Sequence, residues 1–343
     1  MAIEYSFFDD YSEGAHPRIF DVLGDTNLAQ ESGYGDDRLS NEAVRLIRDK
    51  LEAQHVDIHL VSGGTQANLI ALAAMLKPYE SVIAAASAHI NIHEAGAVEA
   101  TGHKINAVEG RDGKLTPASI RRTVAQHTDE HMVKPRAVFV SQATELGTVY
   151  SKAELEQIFR TCEEAGLYLY LDGARLGAAI ASRASAPTFP ELPLLTDMFY
   201  IGGTKNGALL GEALVIVNPA LKQGFRFYLK QHGALLAKGR VLGAQFVALF
   251  KDDHYLDLAR HANRLAAKLS GGIKTSGYGF LSPPTTNQIF PILPNAVVDR
   301  LREKYGFHVW APADDGHSVI RLVTSWATKE DAVDEFLGDL PRV

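Results

Sequence analysis

Short apolar segments alternate with helical patterns between residues 56 and 217, and this alternation constrains the fold more than any other feature of the chain. The segments are apolar throughout, which is typical of strands that are buried on both faces of a sheet. Strands that alternate with helices favour a mostly parallel sheet covered by helices. We therefore predict an α/β fold. The predicted strands cover residues 56–61, 81–85, 104–108, 136–141, 167–171, 197–201 and 213–217, and the predicted helices cover 41–53, 65–76, 88–100, 116–126 and 151–165.

The pattern changes after residue 218, and this change predicts a second, smaller α+β domain. At roughly 150 residues per domain, a chain of 343 residues favours two domains. We place a large domain at residues 1–220 and a small C-terminal domain at 221–343. The second part has helical patterns at 220–250, 254–270, 296–305 and 329–337 and strand patterns at 288–292 and 318–324.

Composition excludes several classes of protein. A content of 46% hydrophobic and 22% charged residues is that of a folded globular protein. The 41 acidic and 34 basic residues leave a net charge of −7, and no long basic run is present, so a nucleic-acid partner is not expected. The longest apolar run, residues 69–76, is far shorter than the ~20 residues that span a bilayer, so no membrane partner is expected.

The single cysteine and the N-terminal residues indicate in which cellular compartment the protein is expected. Cys162 is the only cysteine, which excludes an intrachain disulfide. Residues 1–5 lack the basic start and apolar stretch of a signal peptide. We therefore expect a cytoplasmic protein.

The first candidate site follows the strand at 56–61, where a helix begins at Gly63-Gly64-Thr65. Glycines allow a ligand to approach the backbone closely, and a helix N-terminus offers free N–H groups to a phosphate. The alternative is a tight turn in which Thr65 caps the helix. The segment matches neither a Walker A motif nor GxGxxG, which favours one phosphate over a nucleotide.

Two further strands end in charged residues. Asp172 and Arg175 follow the strand at 167–171, where they either pair to close the loop or face a cationic ring and a substrate anion. Lys205 follows Gly202-Gly203-Thr204 and is a candidate for a Schiff-base lysine of lowered pKa. A Walker A lysine would need a glycine near position 200, which is tyrosine here.

Histidines and an arginine complete the candidate set. His89 and His93 are four residues apart, as zinc ligands on a helix can be, but the spacing provides no third ligand, so no metal is predicted. His89 alternatively stacks on an aromatic cofactor. Arg321 lies within an apolar strand and needs an anion, which is either a structural carboxylate or that of a substrate.

These residues together resemble the L-threonine aldolases of the fold-type-I pyridoxal phosphate family. The resemblance extends from about residue 8 to the end and is strongest to the low-specificity branch that has Ala-Thr-Glu and Gly-Gly-Thr-Lys segments. It implies a fold-type-I transferase-like architecture. The matching segments are residues 62–68, 87–89, 113–117, 142–150, 171–175, 202–207, 211–213 and 321–328.

The resemblance also implies roles for individual residues. Lys205 would bind pyridoxal 5'-phosphate covalently, Asp172 would keep its ring nitrogen protonated, and His89 would stack on the ring. The phosphate would lie near Gly64, Thr65 and Thr204. The substrate carboxylate would be oriented by Arg175 and Arg321, and Arg175 would also lie against the cofactor.

Three positions depart from the family pattern. Asp9 stands at a substrate-contacting position where many members have serine, and its charge would repel the substrate carboxylate. Glu145 replaces a histidine, so the base for the substrate hydroxyl is Glu145, His89 or water. Lys238 replaces a phosphate-binding arginine from a neighbouring subunit, with Arg240 as the other candidate. Tyr34 would likewise serve a neighbouring subunit of a homodimer or homotetramer.

The expected activity is cleavage of L-threonine, L-allo-threonine and related β-hydroxy-α-amino acids to glycine and an aldehyde. The alternative with the same cofactor is a β-eliminating lyase of an aromatic or other amino acid. A cofactor-binding protein without lyase activity is disfavoured by the intact lysine, aspartate and arginines. An NAD-dependent enzyme is disfavoured because no dinucleotide fingerprint is present.

Overall fold

The structure is a computed structural model that describes residues 3–342, and it is built around a mixed sheet of seven strands. Residues 1 and 2, on which the expectation about a signal peptide partly depends, lie outside the described residues. The strands are β1 (Tyr5–Ser6), β2 (Asp57–Val61), β3 (Glu80–Ala85), β4 (Lys104–Val108), β5 (Lys134–Ser141), β6 (Tyr168–Asp172), β7 (Met198–Gly202), β8 (Glu212–Ile216), β9 (Gly279–Phe280), β10 (Gln288–Ile289), β11 (Pro291–Pro294), β12 (Tyr305–Gly306), β13 (His308–Pro312) and β14 (His317–Val323).

Helices cover the sheet and form most of the remaining structure. Within residues 3–342, no helix has the length and apolar content needed to cross a membrane. The α-helices are α1 (Pro17–Thr26), α2 (Arg38–Leu51), α3 (Gly64–Met75), α4 (His89–Ile92), α5 (Ala97–Ala100), α6 (Pro117–Ala125), α7 (Lys152–Ala165), α8 (Leu176–Ile180), α9 (Phe225–Gln231), α10 (Arg240–Phe250), α11 (His254–Thr275), α12 (Asn295–Arg302) and α13 (Glu330–Asp339).

The large sheet has the strand order β2-β8-β7-β6-β5-β3-β4. Strands β7, β6, β5, β3 and β4 run parallel, whereas β8 is antiparallel to both of its neighbours. Every residue of β3, β7 and β8 is buried, as their continuous apolar sequences predict. The predicted α/β fold with a mostly parallel sheet is confirmed.

A smaller sheet and a second hydrophobic core lie in the C-terminal part. Strand β14 pairs with β10, β11 and β13, and β9 pairs with β11, all antiparallel. Phe7 belongs to this second core with Leu265 and Phe336, because β1 runs parallel to β12. The division of the chain into domains at residue 220 stays a prediction, and residues 5–7 pack on the smaller core.

Two predicted helices are each interrupted. The helix expected at 88–100 is divided into α4 and α5, because Ala95 (φ 51°) and Gly96 (φ 76°) leave the helical region. The helical stretch expected at 220–250 is divided into α9 and α10 by a segment in which Gly233 has a φ of 72°. Helix α1 and strand β13 were not predicted. Strand β13 is short and irregular between Val309 and Ala311, whereas α1 is amphipathic and its pattern was missed.

Candidate active site

Most of the predicted site residues line one cavity of about 320 Å³ at the carboxyl ends of the central strands. A second cavity of about 370 Å³ shares Tyr11, His89, Glu145, Arg175 and Lys205 with the first, so the two are contiguous. The second cavity also includes Arg321. The predicted residues that line the first cavity are Gly64, Thr65, His89, Glu145, Asp172, Arg175, Thr204 and Lys205.

The N-terminus of α3 forms one end of the first cavity. Gly63 is the N-cap, in extended backbone, so Thr65 does not cap the helix. A Cβ at Gly64 would lie 3.0 Å from the Tyr200 hydroxyl oxygen, which leaves little room for a side chain. The first N–H groups of a helix have no intrahelical partners and favour an anion. This end of the cavity therefore fits a phosphate group.

Asp172 ends β6, and donors hold its buried carboxylate from two sides. Oδ1 accepts hydrogen bonds from the Tyr200 hydroxyl at 2.5 Å and the Ala174 amide at 2.9 Å. Oδ2 accepts one from the Asn68 amide group at 3.1 Å. Burial raises the pKa of Tyr200 well above its ordinary value, so its hydroxyl stays a donor. The orientation of the carboxylate is fixed before any ligand binds.

The chain turns sharply after Asp172 because Gly173 packs against β7. A Cβ at Gly173 would lie only 1.8 Å from the Tyr200 carbonyl oxygen. A side chain here would push β6 and β7 apart and displace both the carboxylate and the phenol that donates to it. The glycine is thus required by the close approach of the two strands.

Lys205 lies in a short 3₁₀ turn directly after β7 and extends toward the cavity. Within the described part of the chain, no hydrogen bond or ion pair holds its amine, and Nζ lies 6.0 Å from the centroid of the Tyr11 ring. Burial lowers the pKa of Lys205, and nearby Arg175 lowers it further. A lysine of lowered pKa without a partner is suited to covalent attachment of an aldehyde.

Glu212 is a buried acid beside this turn that the sequence did not single out. Its Oε2 accepts a hydrogen bond from the Gly203 amide at 2.9 Å. Burial raises the pKa of Glu212 to about 8. The carboxyl supports the turn that carries Lys205 through this hydrogen bond.

Arg175 forms an ion pair with Asp10, and the interpretation that it pairs with Asp172 is wrong. Its Nε and Nη2 donate to the two oxygens of Asp10 at 2.7 and 3.0 Å. Asn287 also donates to Asp10 Oδ2 at 2.9 Å. The sequence gives no sign of this pair, because nothing in the local pattern around Asp10 indicates burial. The pair holds the Arg175 guanidinium at the cavity.

Arg321 has no acidic partner within ion-pair distance among residues 3–342. One Nη donates to the Phe8 carbonyl oxygen at 3.1 Å, and the guanidinium lies 5.4 Å from the centroid of the Trp310 ring. Its Nε is buried and has no hydrogen-bond partner within the same residues. The sequence left open whether Arg321 pairs with a structural carboxylate, and no such pair is formed among the described residues. The guanidinium can therefore donate hydrogen bonds to an external carboxylate.

His89 and Glu145 adjoin each other at the cavity wall. The His89 amide donates to Glu145 Oε1 at 3.0 Å, and Ser141 donates to the same oxygen at 2.9 Å. Burial raises the pKa of Glu145, and Asp172 raises it further. His89 Nδ1 lies 2.8 Å from Oε1 of Glu94, a residue that the sequence placed beside the histidines without assigning it a role.

Asp9, Tyr34 and Lys238 line neither cavity. Asp9 Oδ1 accepts hydrogen bonds from the Tyr11 amide and the Ser12 hydroxyl. Tyr34 and Lys238 lie on neighbouring segments elsewhere, since the Tyr34 amide donates to the Ala237 carbonyl oxygen at 3.4 Å. Arg240 donates to backbone carbonyls, including that of Asn27 at 3.1 Å. Service to a neighbouring subunit stays a prediction for Tyr34 and Lys238.

The donor set fits pyridoxal phosphate. The cavity joins a glycine-lined helix N-terminus for a phosphate, the fixed carboxylate of Asp172 for a ring nitrogen, and the unpaired amine of Lys205 for an aldehyde. His89 lines the same cavity and presents an imidazole ring. Each functional group of the cofactor thus has a complementary group among the lining residues.

Comparisons with known proteins agree with this assignment. A family model described as beta-eliminating lyase matches residues 22–295. The chain is 36% identical over 338 residues to the low specificity L-threonine aldolase of Pseudomonas aeruginosa, which covers 98% of this chain and 96% of that protein.

Solved structures give the same result for the fold. A threonine aldolase of Leishmania major is 46% identical and has a TM-score of 0.96, with 98% of both chains covered. An aspartate aminotransferase of Thermus thermophilus has a TM-score of 0.73 at 16% identity, and covers 99% of this chain and 91% of that one. The second match shows a shared fold only.

Proposed function

The chain belongs to the beta-eliminating lyase family, and on this basis we infer that it is a pyridoxal phosphate-dependent L-threonine aldolase. Its substrates are L-threonine, L-allo-threonine and related β-hydroxy-α-amino acids, which it cleaves to glycine and an aldehyde. The observation that supports this most strongly is the unpaired Lys205 amine, which shares one cavity with the fixed carboxylate of Asp172. The relatives named L-threonine aldolase match nearly the whole chain, which supports the same reaction.

Several residues would hold the cofactor. Lys205 would bind its aldehyde carbon, Asp172 would hold a proton on its ring nitrogen, and the first turn of α3 with Thr204 would receive its phosphate. When bound, pyridoxal phosphate supplies an electron sink for a bond that breaks at the substrate Cα. Thr204 is fixed for this contact, since its hydroxyl accepts a hydrogen bond from the Gly211 amide at 3.1 Å.

Arg321 binds the substrate carboxylate, with Arg175 beside it. Arg321 lacks an acidic partner among the described residues and lines the second cavity. Its one hydrogen bond within those residues goes to the Phe8 carbonyl oxygen, so its guanidinium has donors left for an incoming anion. Two Arg175 nitrogens are already engaged by Asp10, which orients the charge without removing it. A carboxylate fixed in this way determines which bond at Cα is aligned for cleavage.

His89 and Glu145 are the two side chains at the cavity that are candidates to accept the proton of the substrate β-hydroxyl, with water as the alternative. Both line the two contiguous cavities, and the His89 amide contacts the Glu145 carboxylate directly. Loss of this proton allows the hydroxyl carbon to become the carbonyl of the departing aldehyde. The raised pKa of Glu145 brings this acid closer to the range in which it exchanges protons at neutral pH.

Product analysis tests the reaction type. We expect purified enzyme with L-threonine or L-allo-threonine to release glycine and acetaldehyde in equal amounts, with D-isomers unchanged. Acetaldehyde is measured with a coupled alcohol dehydrogenase, and ammonia is measured in parallel. Release of ammonia without aldehyde from threonine, allo-threonine and phenylserine would contradict the aldolase and favour the β-eliminating lyase.

We further propose that the protein acts in the cytoplasm as a homodimer or homotetramer. Tyr34 lies on an exposed surface with Phe227, whose side chain is 82% exposed, and an apolar surface of this kind suits a partner. Tyr34 and Lys238 lie together away from their own cavity, where they can reach that of a second copy. Light scattering tests the assembly, and a fully active monomer would contradict it. Cell fractionation tests the compartment.

A further inference from the structure

A buried carboxylate and a buried amide lie behind His89, and the mechanism above leaves both unused. The side chain of Glu94 is fully buried, and Asn68 is 1% exposed. Neither residue lines either cavity. A carboxylate that is removed from water and cannot reach a ligand needs another explanation for its position.

Glu94 and Asn68 together define the protonation of the His89 ring. Glu94 Oε1 lies 2.8 Å from His89 Nδ1 and accepts a hydrogen bond from Asn68 Nδ2 at 2.7 Å. A carboxylate oxygen accepts a hydrogen bond from Nδ1 only when that nitrogen carries a proton. A neutral imidazole protonated at Nδ1 has its lone pair at Nε2. Because Nδ1 faces the buried carboxylate and His89 lines the cavity, we expect Nε2 to be the ring nitrogen that a ligand reaches.

The orientation of Asn68 is itself fixed by three neighbours. Its Oδ1 accepts a hydrogen bond from the Tyr170 hydroxyl at 3.0 Å. Its NH₂ group donates to Glu94 and also to Asp172 Oδ2 at 3.1 Å. Only the NH₂ end can donate to two carboxylates, so the amide has one orientation. Asn68 thereby connects the carboxylate behind His89 to the carboxylate assigned to the cofactor ring.

We propose that Glu94 and Asn68 are positioning residues that hold neutral His89 as the Nδ1-protonated tautomer, with Nε2 as the acceptor of the substrate β-hydroxyl proton. This proposal rests on the proposed aldolase function. The hydroxyl O–H bond breaks, and its proton forms a bond to Nε2. The electron pair left on oxygen forms the aldehyde C=O bond, while the Cα–Cβ pair moves to Cα. A proton taken up at Cα then completes glycine.

Two substitutions at Glu94 separate positioning from general stability. In Glu94→Gln, Asn68 still presents its NH₂ group, so the new amide must turn its oxygen toward Asn68. That oxygen remains the acceptor for His89 Nδ1, and the tautomer is retained. In Glu94→Leu, the side chain has a similar volume but no atom that accepts a hydrogen bond from His89 Nδ1. The Nδ1-protonated tautomer is then no longer favoured.

Glu80→Gln is the matched control. Glu80 is also buried and accepts a hydrogen bond from the Lys77 amide at 2.9 Å, but it lies at the opposite end of β3 from the cavity. This substitution removes a buried charge without contact to His89. We expect both the His89 tautomer and kcat to be unchanged.

Nitrogen NMR of histidine-labelled holoenzyme reads the tautomer without turnover, and His89→Phe identifies the His89 signals by difference. We expect Nδ1 to be protonated in wild type, Glu94→Gln and Glu80→Gln, and Nε2 to become protonated in a substantial fraction of Glu94→Leu. In Glu94→Leu, kcat should fall about 10-fold or more, as is usual when the residue orienting a histidine is removed, with KM within about 2-fold. Glu94→Gln should restore most of kcat.

Three results would overturn the proposal. These are an Nε2-protonated His89 in wild type, an unchanged tautomer in Glu94→Leu, or an equal loss of kcat in Glu94→Gln and Glu94→Leu. If Glu94→Leu does not fold, the wild-type spectrum still tests the proposal, because an Nε2-protonated His89 would contradict it. Failure of the wild-type enzyme to release acetaldehyde would instead contradict the proposed function and leave the tautomer assignment in place.

Discussion

The inner and outer walls of the active-site cavity differ in how their polar atoms are paired. The inner wall includes Asp172 and Tyr200, and Asn68 and Tyr170 lie behind it in the same hydrogen-bond network. Both tyrosine hydroxyls, both ends of the Asn68 amide and both Asp172 oxygens take part in hydrogen bonds with protein groups. The inner wall thus has its final arrangement without a ligand.

The outer wall consists of Glu145, Gln288 and Arg321, with the Trp310 ring beside them. Each of the three polar side chains has one buried atom that lacks a hydrogen-bond partner among the described residues, namely Oε2, Oε1 and Nε respectively. All three side chains line the second cavity. The three atoms themselves are buried, so a molecule in the cavity can pair with them only where the side chains turn.

The difference matches the demands on each wall. Leaving a buried polar atom unpaired costs about 1–3 kcal/mol, and a ligand that pairs with it recovers part of this. An inner wall without unpaired atoms suits a group that stays in place through every turnover. An outer wall with unpaired atoms suits a substrate that binds and leaves, and four substitutions test this comparison.

The largest effect is expected for Lys205→Ala, because Lys205 lines both cavities and serves both walls. We expect activity to fall about 1,000-fold or more, as is typical when a covalent catalyst is removed. Borohydride reduction and peptide mass mapping should locate the cofactor on Lys205 in wild type only. Lys222→Ala, which removes a lysine far from the cavity, should retain activity. A label on another lysine would refute the assignment.

Asp10→Asn is expected to weaken the contacts that Asp10 makes with Arg175 at the cavity and with Asn287 beside the outer wall. Asp10 binds Arg175 on one side and Asn287, next to Gln288, on the other. Leaving Arg175 partly buried without its counter-charge costs about 3–5 kcal/mol of folding free energy. Denaturant unfolding measures this loss. Asp9→Asn, the matched control at a half-buried neighbour without an ion pair among the described residues, should change stability little.

The stability difference for Asp10→Asn should depend on pH. Burial alone would raise the pKa of Asp10, but Arg175 and Lys205 hold it below its ordinary value of 3.8. A carboxyl of depressed pKa contributes stability above its unfolded pKa and loses it as pH falls through the folded value. The advantage of wild type should be full at neutral pH and shrink below pH about 4. An advantage that grows toward acid would contradict the ion pair.

Asp172→Asn tests the inner wall directly. The amide keeps the hydrogen bond from Tyr200 but loses the charge, so kcat should fall about 100-fold while KM changes little. The control is Asp197→Asn, just before β7, where the carboxylate accepts a hydrogen bond from the Leu169 amide at 2.7 Å, near the end of β6 away from Asp172. That variant should lose stability and keep kcat. Equal kcat in the two variants would contradict the role of Asp172.

Arg321→Lys tests the outer wall and should have the smallest effect. Lysine keeps the charge but cannot bind a carboxylate with two parallel hydrogen bonds, so KM should rise about 10-fold while kcat stays within a few-fold. Steady-state kinetics with L-threonine measures both constants. Arg264→Lys, which changes a surface arginine, is the control. An unchanged KM would assign Arg321 to a structural role.

The sequence predicted the parts of the site that follow directly from buried parallel strands. Asp172 and Lys205 come after continuous apolar runs, and Gly64 and Thr65 follow another. Because such strands share one edge of the sheet, residues at their ends were expected to meet. All of them line the same cavity. Local pattern and topology were sufficient for these positions.

Other residues could not be predicted because long-range packing determines their role. Asp10 lies in a segment without periodicity, and only its contact with Arg175 reveals that it is buried. Asn68 is a polar residue within an otherwise apolar helix, and Tyr200 counted only as an apolar strand position. Glu94 was noted beside His89, but its burial depends on the break between α4 and α5, which the pattern did not show.

The pairing of β1 with β12 has a consequence for biosynthesis. The hydrogen bond from Arg321 to Phe8 joins residues that are 313 positions apart, and the one from Asn287 to Asp10 joins residues 277 apart. A ribosome that has just synthesised the Lys205 turn has not yet produced either partner. Contacts between residues so far apart in the sequence form late, and they slow the folding of the chain. The nascent chain therefore contains Lys205 well before Arg321, and the proposed site can be complete only when translation has passed β14.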